Sequence, residues 1–152
     1  MIRPATPADV AAVQDLVRSA YRHYIPRIGR PPYPMVADYA ALIGAGQVWV
    51  ALAGGVIDGV LVLVPEHDHV LVDTVAVAPG AQGRGRGTAL LAFAEDRARE
   101  LGLPEVRLYT NEAMTENIAY YPRRGYTETH RSLDQGYRRV FFSKRVGAQT
   151  QR

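Results

Sequence analysis

The stretch "VAVAPGAQGRGRGTALLAFAEDRA", Val75 to Ala98, decides how this chain is read. An apolar run stops at Pro79, the next eight residues hold four glycines and two arginines, and an amphipathic pattern then begins. Glycine raises the entropy lost on folding, so this density is costly unless something must approach the backbone itself. A helix N-terminus leaves its first N–H groups unpaired and carries partial positive charge. A glycine-rich turn leading into one suits a phosphate, with Arg84 and Arg86 adding charge at the rim. The plainer alternative is a strand-to-helix turn that holds nothing.

Two familiar phosphate loops do not fit. Gly80 and Gly85 have the P-loop spacing, but Arg86-Gly87 stands where Lys-Ser/Thr is required. Gly83 and Gly85 begin a dinucleotide fingerprint, but Thr88 takes the place of its third glycine. The turn also follows three strand-like runs and does not open a βαβ unit.

Those runs are "QVWVALA", "VIDGVLVLV" and "VLVDTVAV". Gly54-Gly55 between the first two is a hairpin signal. The third, Val70 to Val77, is apolar on both faces, as in a strand buried on both sides, and Asp73 is its only charge. Upstream, Thr6, Pro7 and Asp9 read as a helix start. Val10, Val13, Val17, Ala20 and Tyr24 then recur at helical spacing, and Pro26 is expected to end that helix. "PRIGRPPYPM" reads as an extended loop, and "VADYAALIGAG" as a short helix.

Downstream, a helix is expected over about Thr88–Leu101. Leu90, Ala94, Ala98 and Leu101 share one face, Glu95 and Arg99 form an i,i+4 pair, and Gly102 and Pro104 stop it. "EVRLYT" is a strand, "TENIAYYPRR" a short helix, and "YTETHR" and "YRRVFFSK" a closing antiparallel pair. These elements imply a single domain over residues 1–146 with a frayed tail at 147–152.

Composition agrees. The 152 residues are 47% hydrophobic and 22% charged with net charge +3, ordinary for a globular chain. There is no cysteine, which excludes disulfides, thiolate metal sites and cysteine nucleophiles. No apolar run nears the roughly 20 residues that span a bilayer, and no signal-peptide pattern opens the chain, so a cytoplasmic location is expected. His67 and His69 alone do not make a metal site. With Glu66 and Asp68 they read as a solvated turn. The basic residues cluster by the glycines and at Arg123-Arg124 without a recognition-helix pattern, so no nucleic-acid role is expected.

"QGRGRG", Gln82 to Gly87, fits Q/R-x-x-G-x-G/A and resembles the acyl-CoA pyrophosphate loop of the GNAT superfamily of N-acetyltransferases. "VAVAP" before it, the amphipathic helix after it and "YYPRRGY" downstream, similar to the family's Tyr-x-x-x-Gly-Phe/Tyr, extend the resemblance over nearly the whole chain. It implies an α/β (α+β) fold. A mixed, mainly antiparallel sheet of about six to seven strands would be flanked by helices, with a splayed central strand pair. It also implies acetyl-CoA as co-substrate, with no metal.

On that resemblance, the backbone of Gln82, Gly83, Arg84, Gly85, Arg86, Gly87 and Thr88 would hold the pyrophosphate. Val75, Ala76 and Val77 would bond the pantetheine arm as an added strand, and an N–H near Val75 would polarise the thioester carbonyl. Tyr121, four residues before Gly125, matches the family's tyrosine beside the sulfur, whereas Tyr120 reads as packing. The family often has an asparagine seven residues before that tyrosine. This chain has Met114 there, with Asn111 and Asn117 as substitutes. Asp73 stands where the family often places an active-site Glu or His, and reads equally as a general base or a hydrogen-bonded structural aspartate. Tyr21, His23, Tyr24 and Tyr33 would line the acceptor pocket, or pack the core or a homodimer interface. The acceptor amine stays open among small amines, amino acids, antibiotics and protein termini or lysines. A non-catalytic acyl-CoA-binding module of the same fold is the alternative.

Overall fold

The structure, a computed structural model, describes residues 1–147. The strands are β1 (Ile2–Pro4), β2 (Val48–Ala53), β3 (Val56–Pro65), β4 (Val70–Val77), β5 (Glu105–Asn111), β6 (Thr127–Asp134) and β7 (Tyr137–Arg145). The helices are α1 (Val10–Tyr21), α2 (Ile25–Ile28), α3 (Tyr33–Val36), α4 (Tyr39–Gly44), α5 (Arg86–Glu100) and α6 (Thr115–Arg123). The strands form one seven-stranded sheet in the order β1-β2-β3-β4-β5-β7-β6. Pairings β1–β2, β2–β3, β5–β7 and β6–β7 are antiparallel, and β4–β5 is parallel. This is the mixed, mainly antiparallel sheet with flanking helices that the sequence implied.

The chain divides into two compact units. The first is Met1–Leu63 with Thr74–Leu91, and the second is Val64–Asp73 with the chain from Ala92 onward. The division falls inside β4, between Asp73 and Thr74. The parallel register lies wholly in the second unit, pairing Val70, Leu71 and Val72 with Val106, Arg107 and Leu108. In the first unit, α1 and α4 bury Val13, Leu16, Val17, Ala20, Tyr39 and Ile43 against Val48, Val50, Val60, Val62 and Ala76. Each such aliphatic side chain stabilises the unit by about 1.5–3 kcal/mol. In the second, the buried set includes Val72, Ala98, Val106, Leu108, Tyr126, Val140 and Phe142.

Four expectations are corrected. Pro26 does not end helical structure: a 3-10 turn over Arg22–Tyr24 links α1 to α2, whose first turn holds Pro26. The proline-rich stretch is not simply extended, because Pro34 likewise opens α3. Proline at a helix start has no N–H to lose, so both are compatible with one helical turn. β4 is buried on one face only, with Val70, Val72, Thr74 and Ala76 buried and the alternate residues half-exposed. Finally, Leu101 is exposed, and Arg99 pairs with Asp96 at 2.9 Å while Glu95 pairs with Lys144 at 3.0 Å. The expected tail lies, apart from Gly147, outside the described residues.

Candidate acyl-CoA site

The glycine turn lies in the first unit. Its chain leaves β4 with the Ala78 N–H on Asp58 O at 2.9 Å and makes a 3-10 turn over Pro79–Ala81. Gly83 and Gly85 follow with φ of 80° and 76°. L side chains rarely adopt that conformation, so these two positions require glycine. A Cβ at Gly80, Gly83 or Gly85 would meet nothing within 4 Å, so no packing demands their smallness. Gln82, Gly83, Arg84, Gly85 and Thr88 are exposed, and Arg86 and Gly87 are half-buried. Helix α5 begins at Arg86, two residues before the expected start, and the Ala89 N–H to Gly85 O bond of 3.0 Å closes its first turn. The N–H groups of that first turn have no partner within the helix.

Main-chain groups of successive residues in a strand point to opposite edges, and those of every second residue to the same edge. The Ala78 N–H points to β3, so the carbonyls of Val75 and Val77 face the edge away from it. Both receive side chains: the Tyr21 hydroxyl donates to Val75 O at 2.8 Å, and the Gln82 amide to Val77 O at 3.2 Å. Two predicted site residues thus meet the strand expected to bond the pantetheine arm.

Arg86 faces elsewhere. Its guanidinium donates to Asp58 Oδ1 at 2.6 Å and to Leu52 O at 3.3 Å, and its Nε is buried without a hydrogen-bond partner among the described residues. The hydrogen bond that Arg86 donates to Asp58, followed by the charge of Asp58, raises the Arg86 pKa against the opposing effect of burial. What Arg86 turns toward the glycine turn is therefore its backbone. Tyr24 is buried with the His23 ring at 3.9 Å and the Arg27 guanidinium 5.0 Å over it, and Tyr33 is half-buried at the start of α3.

The other predicted residues lie in the second unit. Asp73 is half-buried and accepts the Tyr109 hydroxyl at 2.5 Å. Tyr109 lies under the Arg139 guanidinium, 4.2 Å from its ring centre, and Arg139 is paired to Asp134 at 2.7 Å. Tyr121 is 6% exposed, its ring among Tyr120, Tyr126 and Phe142 at 5.6–5.9 Å. Pro122 sits inside α6, and the helix ends in short-range bonds, Arg124 N–H to Tyr121 O at 2.9 Å and Gly125 N–H to Pro122 O at 3.1 Å. Tyr120 carries the Arg124 guanidinium 5.0 Å over its ring.

The Tyr126 phenol makes no hydrogen bond among the described residues, and burial, then the charge of Glu95, pushes its pKa far up. Asn111 accepts the Ala113 N–H at 2.9 Å, closing the turn before α6, and Asn117 donates to Thr110 Oγ1 at 3.1 Å. Met114 is buried and accepts from Thr110 at 3.3 Å. In the turn after β3, Asp68 pairs with His69 at 2.7 Å and with Arg107 of β5 at 3.6 Å.

Sequence reasoning missed Asp58 and Tyr109. Asp58 carried a signal, since a carboxylate in an apolar strand needs a cationic partner. Tyr109 carried none, being one more aromatic in a strand.

Solved structures share this fold. Over 95% of this chain and 98% of theirs, the PaiA N-acetyltransferase from Thermoplasma acidophilum, in complex with coenzyme A, superposes with a TM-score of 0.80 at 17% identity. The ribosomal-protein-S18-alanine N-acetyltransferase from Escherichia coli does so with 0.76 at 17%, covering 99% and 96%. A putative acetyltransferase of the GNAT family from Desulfovibrio desulfuricans reaches 0.77 at 21%, covering 97% and 99%. No curated protein matches the sequence. The model of the acetyltransferase (GNAT) family matches residues 11–126, and the chain belongs to that family.

Proposed function

We propose that this protein is an acetyl-CoA-dependent N-acetyltransferase that passes the acetyl group directly to a primary amine. The observation that carries this reading is the glycine turn. It has an exposed backbone, two positive-φ glycines and open space where side chains would stand, and it leads into the N-terminus of a 15-residue helix. That arrangement suits a diphosphate. Amides from about Gln82 to Thr88 hold it, with Arg84 at the rim. Val75 and Val77 offer main-chain groups to the pantetheine amides, and the Val75 N–H polarises the thioester carbonyl. Tyr21, bonded to Val75 O, and its neighbours Tyr24 and Tyr33 contribute to acceptor binding.

A lysine-like amine is neutral in roughly one molecule per few thousand at pH 7, which costs about 4–5 kcal/mol unless a base assists. Asp73 takes that proton through water, with Tyr109 holding the carboxylate by one oxygen. The amine nitrogen bonds to the acetyl carbon as the carbon–sulfur bond breaks, the Tyr121 phenol gives its proton to the departing thiolate, and the second proton lost by the nitrogen restores the phenol through water. Free thiols titrate near 8.5 and phenols near 10, so the transfer is uphill by about 2 kcal/mol, small beside the breaking of the thioester.

The test is CoA release from acetyl-CoA across a panel of amines, with a direct titration of acetyl-CoA. Saturable binding and amine-dependent release are expected. Tyr121→Phe and Asp73→Asn should lower kcat by about a hundredfold and leave acetyl-CoA affinity within about twofold. Binding without release for any amine would favour the non-catalytic acyl-CoA module, and no binding would sink both readings.

A further inference from the structure

We infer that Asp58 is the positioning residue of the glycine turn, an inference that rests on the turn being the acetyl-CoA site. Asp58 holds both ends of the turn. Its main-chain carbonyl accepts the Ala78 N–H at 2.9 Å, where the chain leaves β4. Its carboxylate accepts from Arg86 at 2.6 Å, where α5 begins. Between these anchors run Pro79 to Gly85, three of which are glycine, with no side chain packed against Gly80, Gly83 or Gly85. Its internal bonds hold only the part up to Gln82, through the 3-10 turn and the Gln82 amide on Val77 O, and the glycines beyond have the widest range of backbone conformations. The geometry of that glycine part depends on where the segment's ends are held, and one residue holds both.

The surroundings support that role. The Asp58 side chain is 14% exposed and that of Arg86 is 26%, so water weakens this pair less than a surface one. The same guanidinium reaches Leu52 O, at the register shift between Ala51 and Leu52, which ties α5 to β2 as well. The next residue, Gly59, brings β3 close to α5: a Cβ there would lie 3.1 Å from Leu90 Cδ1 and 3.2 Å from Ala51 Cβ. The first turns of α5 are therefore seated on β3 by a bare backbone at Gly59 and an ion pair at Asp58. Without the carboxylate, a partly buried guanidinium with an unpaired Nε must move to water. It would carry the first turn of α5, and the amides of that turn, with it.

Asp58 touches no reacting atom, so its effect falls on affinity. Asp58→Asn should raise KM for acetyl-CoA by about tenfold to a hundredfold with kcat at saturation largely retained, because a displacement near 1 Å is that costly to a positioned ligand. Arg86→Leu should give a similar rise, and the double variant no more than the larger single one, since both break one interaction. Asp58→Glu should recover part of the loss by restoring the charge. If Asp58→Asn fails to fold, Arg86→Leu carries the test alone.

Wild-type protein that binds acetyl-CoA, with Asp58→Asn binding it within twofold, overturns this inference and leaves the proposed function standing. Additive losses in the double variant, or a fall in kcat at unchanged KM, also overturn it. Wild-type protein without affinity for acetyl-CoA overturns both.

Discussion

Three helical segments of the first unit begin in different ways. At Thr6 the chain enters a 3-10 turn that runs directly into α1. The Asp9 carboxylate accepts the Thr6 N–H at 2.8 Å and the Arg3 guanidinium at 2.7 Å. At α4, Asp38 Oδ1 accepts the Ala41 N–H at 3.1 Å. At α5 the preceding residue is Gly85, which has no side chain to offer. Every helix start presents unpaired N–H groups and partial positive charge. Two starts carry one of the chain's own carboxylates, and the third is preceded by a residue without a side chain. The contrast separates a helix start built for stability from one left open to an anion.

The strongest way to break this contrast is to give α5 what α4 has. Gly85→Asp places a carboxylate at the head of α5, where it would cap the helix and repel a phosphate. Aspartate tolerates the positive φ of this position better than most residues. Acetyl-CoA affinity measured by titration should fall about a hundredfold or more, while the ligand-free protein loses only the roughly 1–2 kcal/mol of strain that a side chain meets at this φ. Unchanged affinity would mean that the turn is only a turn. Gly85→Asn, which caps without the charge, should lose less, and the difference between the two variants isolates electrostatics from space.

Much of this arrangement was legible in the sequence. The glycine spacing, the strand before it and the amphipathic helix after it depend on neighbours in the chain, and local pattern reports local structure. β4 came out at Val70–Val77 as read. Its one-sided burial did not, because alternation cannot be seen in a run that is apolar throughout. The short helices α2 and α3 escape a reading of proline as a breaker, because Pro26 and Pro34 stand second in their helices, within the first turn, where no N–H is needed. Arg86 was read as a phosphate ligand from its place beside the glycines. The structure shows its side chain on a residue 28 positions earlier. Tyr109 and Asp73 are 36 positions apart. Pairings at that distance are set by the sheet and leave no periodic trace.

The reverse exchange, removing a carboxylate from a capped start, should cost stability and spare binding. Asp9→Ala strips the Thr6 N–H and Arg3 of their common partner. A lost cap of this kind destabilises by about 1 kcal/mol, readable as a lower urea midpoint, with acetyl-CoA affinity unchanged. The same carboxylate gives a smaller, pH-dependent signature. The Arg3 hydrogen bond first, then the Thr6 N–H, lower its pKa from 3.8 to about 2. A depressed carboxylate pKa stabilises the folded state above the unfolded value, and that contribution is lost as pH falls through the folded one. Between pH 4 and pH 2 the wild type should therefore lose up to about 1 kcal/mol that Asp9→Ala does not, the figure being reduced for the partial exposure of Arg3. Parallel stability curves for the two proteins across that range would show that the α1 start is not held by this carboxylate. The contrast with the bare start of α5 would then lose its reference.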